Sequence, residues 1–152
     1  MKDKKILTTF IIVAIIASVT SVSFCIMEHN IPIVKVKFDV VLDDEKPKIQ
    51  NVEVNQSYVT PLQRPVETTG GFPGVEVKAI INNVKPSYWA SKDYVGEGTY
   101  DFDVGFHPNS EPQDGDLIEV VIKIVDDKGK LMGERAKYSE YILWRNESSL
   151  ED

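Results

Sequence analysis

Val34-Lys35-Val36-Lys37-Phe38-Asp39-Val40-Val41-Leu42 is the stretch that decides the fold. Val34, Val36, Phe38, Val40 and Leu42 share one side, and Lys35, Lys37 and Asp39 take the other. Alternate residues of an extended chain point to opposite faces, so this run predicts a strand with one buried and one wet face. A helix would need apolar residues three and four apart instead. The acidic cluster Asp43-Asp44-Glu45-Lys46-Pro47 predicts the turn that ends it.

The same period recurs towards the C-terminus. Ile49 to Val54 is a shorter alternating run. Val75, Val77, Ala79 and Ile81 alternate with Glu76, Lys78 and Asn82, and Tyr100, Phe102, Val104 and Phe106 alternate with Asp101 and Asp103. Leu117 to Val125 reads as the most buried strand: Ile118, Val120, Ile122 and Ile124 face one way, and Val121 and Leu117 add apolar surface to the other, beside Glu119 and Lys123. Tyr138 to Arg145 closes the pattern with Tyr141, Ile142, Leu143 and Trp144. Between these runs lie breakers. Thr60 to Gly74 holds three prolines and three glycines, and Pro108 to Asp116 is rich in Pro, Asn, Asp and Gly. Asn82 to Thr99 reads as a long aromatic loop. No helix of ten or more residues is predicted after Met27. Six or seven short strands joined by such loops predict an all-β domain, an antiparallel β-sandwich over residues 28–152. In outline this resembles an immunoglobulin-like sandwich, although the Cys…Trp…Cys pattern of true immunoglobulin domains is absent.

Residues 1–27 differ from the rest. Met1-Lys2-Asp3-Lys4-Lys5 is a basic start, and Ile6 to Met27 follows without a charge, a glycine or a proline. As a helix it would rise ~33 Å, enough to cross the hydrocarbon of a bilayer. Lysines before the span place the N-terminus inside the cell and residues 28–152 outside. Three fates are open to this segment. It can stay as a signal anchor, making a single-pass membrane protein. It can be cut as a signal peptide after Ser23, where Ser21 and Ser23 are small, giving a secreted protein. It can also carry lipid on Cys25, although Phe24 stands where a small residue is expected.

The net charge of the chain is −7; residues 1–27 supply +2 of it, so −7 less +2 leaves −9 on residues 28–152. Such a surface repels phosphate backbones and anionic lipid headgroups, which argues against a nucleic-acid partner. Cys25 is the single cysteine, so no disulfide forms within the chain.

Chemistry-bearing residues are sparse. His29 and His107 are the two histidines, and neither has a second ligand at metal-binding spacing. No Gly-x-Ser-x-Gly elbow occurs, and the neighbours Ser91 and Lys92 point to opposite faces if they lie on a strand. Acids come in pairs. Asp101 and Asp103 share a strand face, and Asp114-Gly115-Asp116 forms a turn that could complete a Ca²⁺ site, since Ca²⁺ takes six to eight oxygens. Aspartates also favour turns and wet faces for their own sake. Tyr88, Trp89 and Tyr94 in the aromatic segment are the candidate binding residues, because exposed rings stack on sugars and anchor protein interfaces. Asn55-Gln56-Ser57 and Asn146-Glu147-Ser148 are glycosylation sequons.

The expectation from the sequence is a membrane-tethered or exported β-domain, not an enzyme, that binds or assembles with another component of the cell envelope. It contacts the membrane through residues 6–27, and its further partner is another envelope protein or a glycan. A glycan-binding module, with or without Ca²⁺, is the second reading, and an envelope hydrolase the third.

Overall fold

The computed structural model describes residues 30–65, 69–84, 88–107 and 109–146. The apolar segment, its cleavage and lipidation positions and His29 lie outside these residues. Among the described residues no helix is long and apolar enough to cross a membrane. Residues from Ile31 onward form one compact unit.

Seven strands are described: β1 (Ile31–Asp43), β2 (Lys46–Val59), β3 (Gly74–Ile81), β4 (Tyr88–Asp93), β5 (Gly98–Gly105), β6 (Leu117–Val125) and β7 (Lys137–Leu143). Two single-turn 3-10 helices, Pro61–Gln63 and Glu134–Ala136, lie in the connections. The strands form two antiparallel sheets, β2-β1-β5 and β4-β3-β6-β7. Their inner faces meet in one core, with Val34, Val36, Phe38 and Val40 of β1 buried on the same side as Phe102 and Val104 of β5. The second sheet contributes Val75, Val77 and Ala79 from β3 and Ile118, Val120, Ile122 and Ile124 from β6. The alternation in the sequence thus marks the faces correctly. Leu42 is the exception: it keeps the phase of Val40 but is half exposed at the far end of β1.

Two elements differ from the sequence reading. Lys46–Val59 is one long strand, not the short run Ile49 to Val54. Its pairing with β1 slips between Lys37 and Asp39, so that Asn51 and Val52 stand opposite Phe38 alone. This is a bulge, and Asn51 takes the left-handed backbone that bulges use, at φ 51°. The second correction concerns Asn82 to Thr99. It is not a long loop, because β4 runs through it, paired with β3 from Gly74↔Asp93 to Ala79↔Tyr88. Tyr88 and Trp89 favour extended backbone. The order Trp-Ala-Ser-Lys, however, gives no polar alternation from which an edge strand could be read.

Side chains close both open sides of the two sheets. At one side the Lys92 ammonium donates to the Asp101 carbonyl and pairs with its carboxylate at 3.3 Å, while lying 4.9 Å from the Phe102 ring centre. At the other, the Gln56 amide donates to the Arg145 carbonyl at 2.6 Å and accepts from the Arg145 N–H at 2.9 Å. Tyr58 donates to the same carbonyl at 3.1 Å. Trp144 lies beneath this clamp, fully buried, edge-on to Tyr58 and Phe106 at 5.8 Å.

The bulge is pinned from the wet face. Asn51 Nδ2 donates to one Asp39 oxygen at 2.9 Å, and the Thr99 hydroxyl donates to the other at 2.6 Å. These bonds, Thr99 foremost, hold the Asp39 carboxyl below its ordinary value of 3.8. A carboxyl depressed in the folded state stabilises above its unfolded pKa. That contribution is lost as pH falls through the folded pKa, here below 3.8. In a carbon-detected NMR titration we expect the Asp39 midpoint below 3.8 and an upward move in Thr99→Val. An unchanged midpoint would remove the hydroxyl as the cause.

Candidate functional site

The outer face of the sheet β4-β3-β6-β7 is assembled by register. One row reads Trp89, Lys78, Val121 and Ser139 across the four strands. The next row reads Ile80, Glu119 and Tyr141, and beyond it Leu117 stands opposite Leu143. Strand geometry sends all of these away from the core. Trp89 is 43% exposed, Tyr141 53%, Leu143 48% and Leu117 41%. Val121 is buried among its row neighbours, and Ile80 is half buried. Large apolar side chains scattered singly over a surface need no explanation, but several on one sheet face form a patch that water covers at a cost.

The patch borders a row of charge. Glu76 of β3 stands opposite Lys123 of β6, which stands opposite Lys137 of β7. Lys78 and Glu76 pair at 3.9 Å. With Glu119 and Asp93, the described residues of this face hold three lysines against three acids, which balance. Residues 28–152 carry −9 in all, being the chain's −7 less the +2 of residues 1–27, and these six charges contribute none of that excess. At the end of β4 away from Trp89, Gly70 crosses the strand. Its N–H donates to both the Ser91 carbonyl (3.0 Å) and the Ser91 hydroxyl (2.7 Å), which is buried beneath it.

The residues singled out in the sequence are dispersed. Trp89 lies on the face just described, and Tyr88 occupies the first position of β4. Tyr94 is no exposed ring: it packs against the core, and burial raises its phenol above the ordinary value. Asp101 and Asp103 lie on the wet face of β5, directly opposite Lys37 and Lys35 of β1. Opposite charges facing each other across strands stabilise a sheet, which accounts for both acids. Asp114 and Asp116 lie beside the other sheet. Asp114 accepts from the Asn146 N–H at 3.0 Å, and Asp116 accepts from Asn82 at 2.8 Å and from the Gln113 N–H at 2.7 Å. Among the described residues no three His, Cys, Asp or Glu side chains are grouped so as to hold a metal ion. Asn55 is exposed on β2 opposite Lys35, and Asn146 is exposed just past β7. Ser91 and Lys92 are parted as strand neighbours are, the first beneath Gly70 and the second reaching Asp101.

A shallow depression of about 500 Å³ opens beside the β1–β2 turn, where Asp43, Asp44 and Glu134 mix with Lys46, Lys48 and Arg135. Asp43 and Arg135 pair across it. This mixture offers neither a nucleophile with its base nor a field of one sign.

The sequence marks Trp89 as a binding residue and puts Leu117 with Val121 on the second face of its strand, but it does not single out Leu117, Tyr141 or Leu143 for binding. Only the register brings them together. The available signal was the second apolar set on the strands Leu117–Val125 and Tyr138–Arg145. No protein-family model, curated protein or solved structure matches the chain.

Proposed function

We propose that this chain is a membrane-tethered, non-catalytic β-domain that assembles with another component on the outer side of a cell membrane, using the outer face of β4-β3-β6-β7. The observation that carries the reading is the patch of Trp89, Leu117, Tyr141 and Leu143 on one exposed sheet face. Aromatic and aliphatic anchors within a polar surround are the composition of a docking surface. The uncharged run of residues 6–27 behind a basic start supports the tether, with residues 28–152 outside. Pro32 and the start of β1 at Ile31 leave little stalk after that run, which favours a partner held near the same membrane.

In this reading the fold is an immunoglobulin-like sandwich in outline. The order β4-β3-β6-β7 parallels the C′-C-F-G sheet of a variable domain. The other sheet departs from that plan, with β1 rather than β2 in the central position.

The test is the double variant Tyr141→Asp/Leu143→Asp in the full chain. Both side chains are exposed, so folding stability should change by less than about 1 kcal/mol. In mild-detergent extracts on a native gel, the parent chain is expected in an assembly larger than one chain and the variant as a single chain. A parent that runs as one chain would overturn the reading.

A further inference from the structure

We propose that the occupant of this face is a second copy of the chain, packed sheet to sheet about a two-fold axis. The inference rests on the docking reading above and deepens it. Charge selects the partner. Residues 28–152 carry −9 in all, from the chain's −7 less the +2 of residues 1–27. Two copies meeting at most of that surface therefore repel each other. Among the described residues the outer face of β4-β3-β6-β7 is balanced, three lysines against three acids, so here copies approach without net repulsion. A strongly basic partner would instead gain most from the acidic remainder of the surface.

The face is also self-complementary. A two-fold axis running along the strands between β3 and β6 exchanges those two strands, and exchanges β4 with β7. Because Glu76 and Lys123 share a row, the axis sets Glu76 over Lys123 of the second copy, and Lys123 over its Glu76. Trp89 and Ser139 share the adjacent row, so Trp89 lands over Ser139, one row from Tyr141. An isologous contact of this kind closes on itself as a dimer. Tethering both copies to one membrane raises their effective concentration and favours the contact further.

The experiment places a photo-crosslinking amino acid at Tyr141 of the full chain in its membrane, and in parallel at Lys37 on the other sheet. The expected result is an adduct of twice the chain mass from position 141 and none from position 37. Leu117→Asp should lower that adduct about tenfold or more, because each copy then buries an unpaired carboxylate. An adduct of any other mass from position 141, without the doubled one, overturns the second copy while leaving the docking surface in place. No adduct from position 141 overturns both.

Discussion

Replacing Trp144 with alanine is expected to cost about 4 kcal/mol of folding stability, the range measured for emptying a large aromatic site. Trp144 follows β7 directly and has no exposed surface. Its ring meets Tyr58 of β2 at 65° and Phe106, just past β5, at 80°, so it ties the end of β7 to the facing sheet β2-β1-β5. Its backbone is fixed as well: the N–H donates to the Asp116 carbonyl at 2.8 Å, and its carbonyl accepts from Gly115 at 2.9 Å. A collapse that fills the cavity is therefore opposed at both ends. The indole Nε1–H is buried and finds no acceptor among the described residues. An unmet buried donor costs about 1–3 kcal/mol, so Trp144→Phe removes that cost while giving up part of the ring. We expect the phenylalanine variant to lose only about 1 kcal/mol. Chemical denaturation of the two variants checks the ordering; equal losses would show that the lost volume is not what matters.

Gly70→Ala is expected to cost about 3 kcal/mol. A β-carbon on Gly70 would lie 2.4 Å from the Lys92 carbonyl carbon and 2.6 Å from its Cα. Both are backbone atoms of a paired strand, so the segment 69–71 must lift instead. Lifting breaks the two bonds to Ser91 and leaves its hydroxyl under-satisfied, at about 1 kcal/mol for each bond. It also uncovers β4, an edge strand otherwise open to pairing with another chain. Gly71→Ala is the control. Its β-carbon would meet only the Asp93 carboxylate oxygen, at 3.3 Å, and a side-chain end can give way. We expect a loss under about 1 kcal/mol there. Thermal unfolding of the pair distinguishes close backbone packing from a general intolerance of the loop.

Much of this architecture could be read from residue alternation. Val34 to Val40, Val75 to Ala79 and Ile118 to Ile124 each bury the face that the pattern assigned, because a strand with one wet side must alternate. β4 could not be read so, since an edge strand that carries a tryptophan outward and a lysine across to the next sheet breaks the binary pattern. The extent of β2 was hidden by the bulge at Asn51, which shifts the phase midway. At the candidate site the limit is different in kind. Tyr141 and Leu143 gain significance only from lying in line with Glu119 and Leu117, and that alignment belongs to strand pairing rather than to any local stretch. Asp101 and Asp103 drew notice as a pair of acids, yet what they face is Lys37 and Lys35, some sixty residues away in the chain.

The central claim is that the outer face of β4-β3-β6-β7 is covered when the protein is in place. Hydroxyl-radical labelling of the full chain in intact membranes tests it most directly, read at Trp89 and Tyr141 against Phe72, with each rate normalised to the intrinsic reactivity of its side chain. Phe72 is 59% exposed, close to the 53% of Tyr141 and above the 43% of Trp89. The account predicts strong protection of Trp89 and Tyr141 with Phe72 reacting freely. Normalised rates that follow these exposures at all three positions would contradict it.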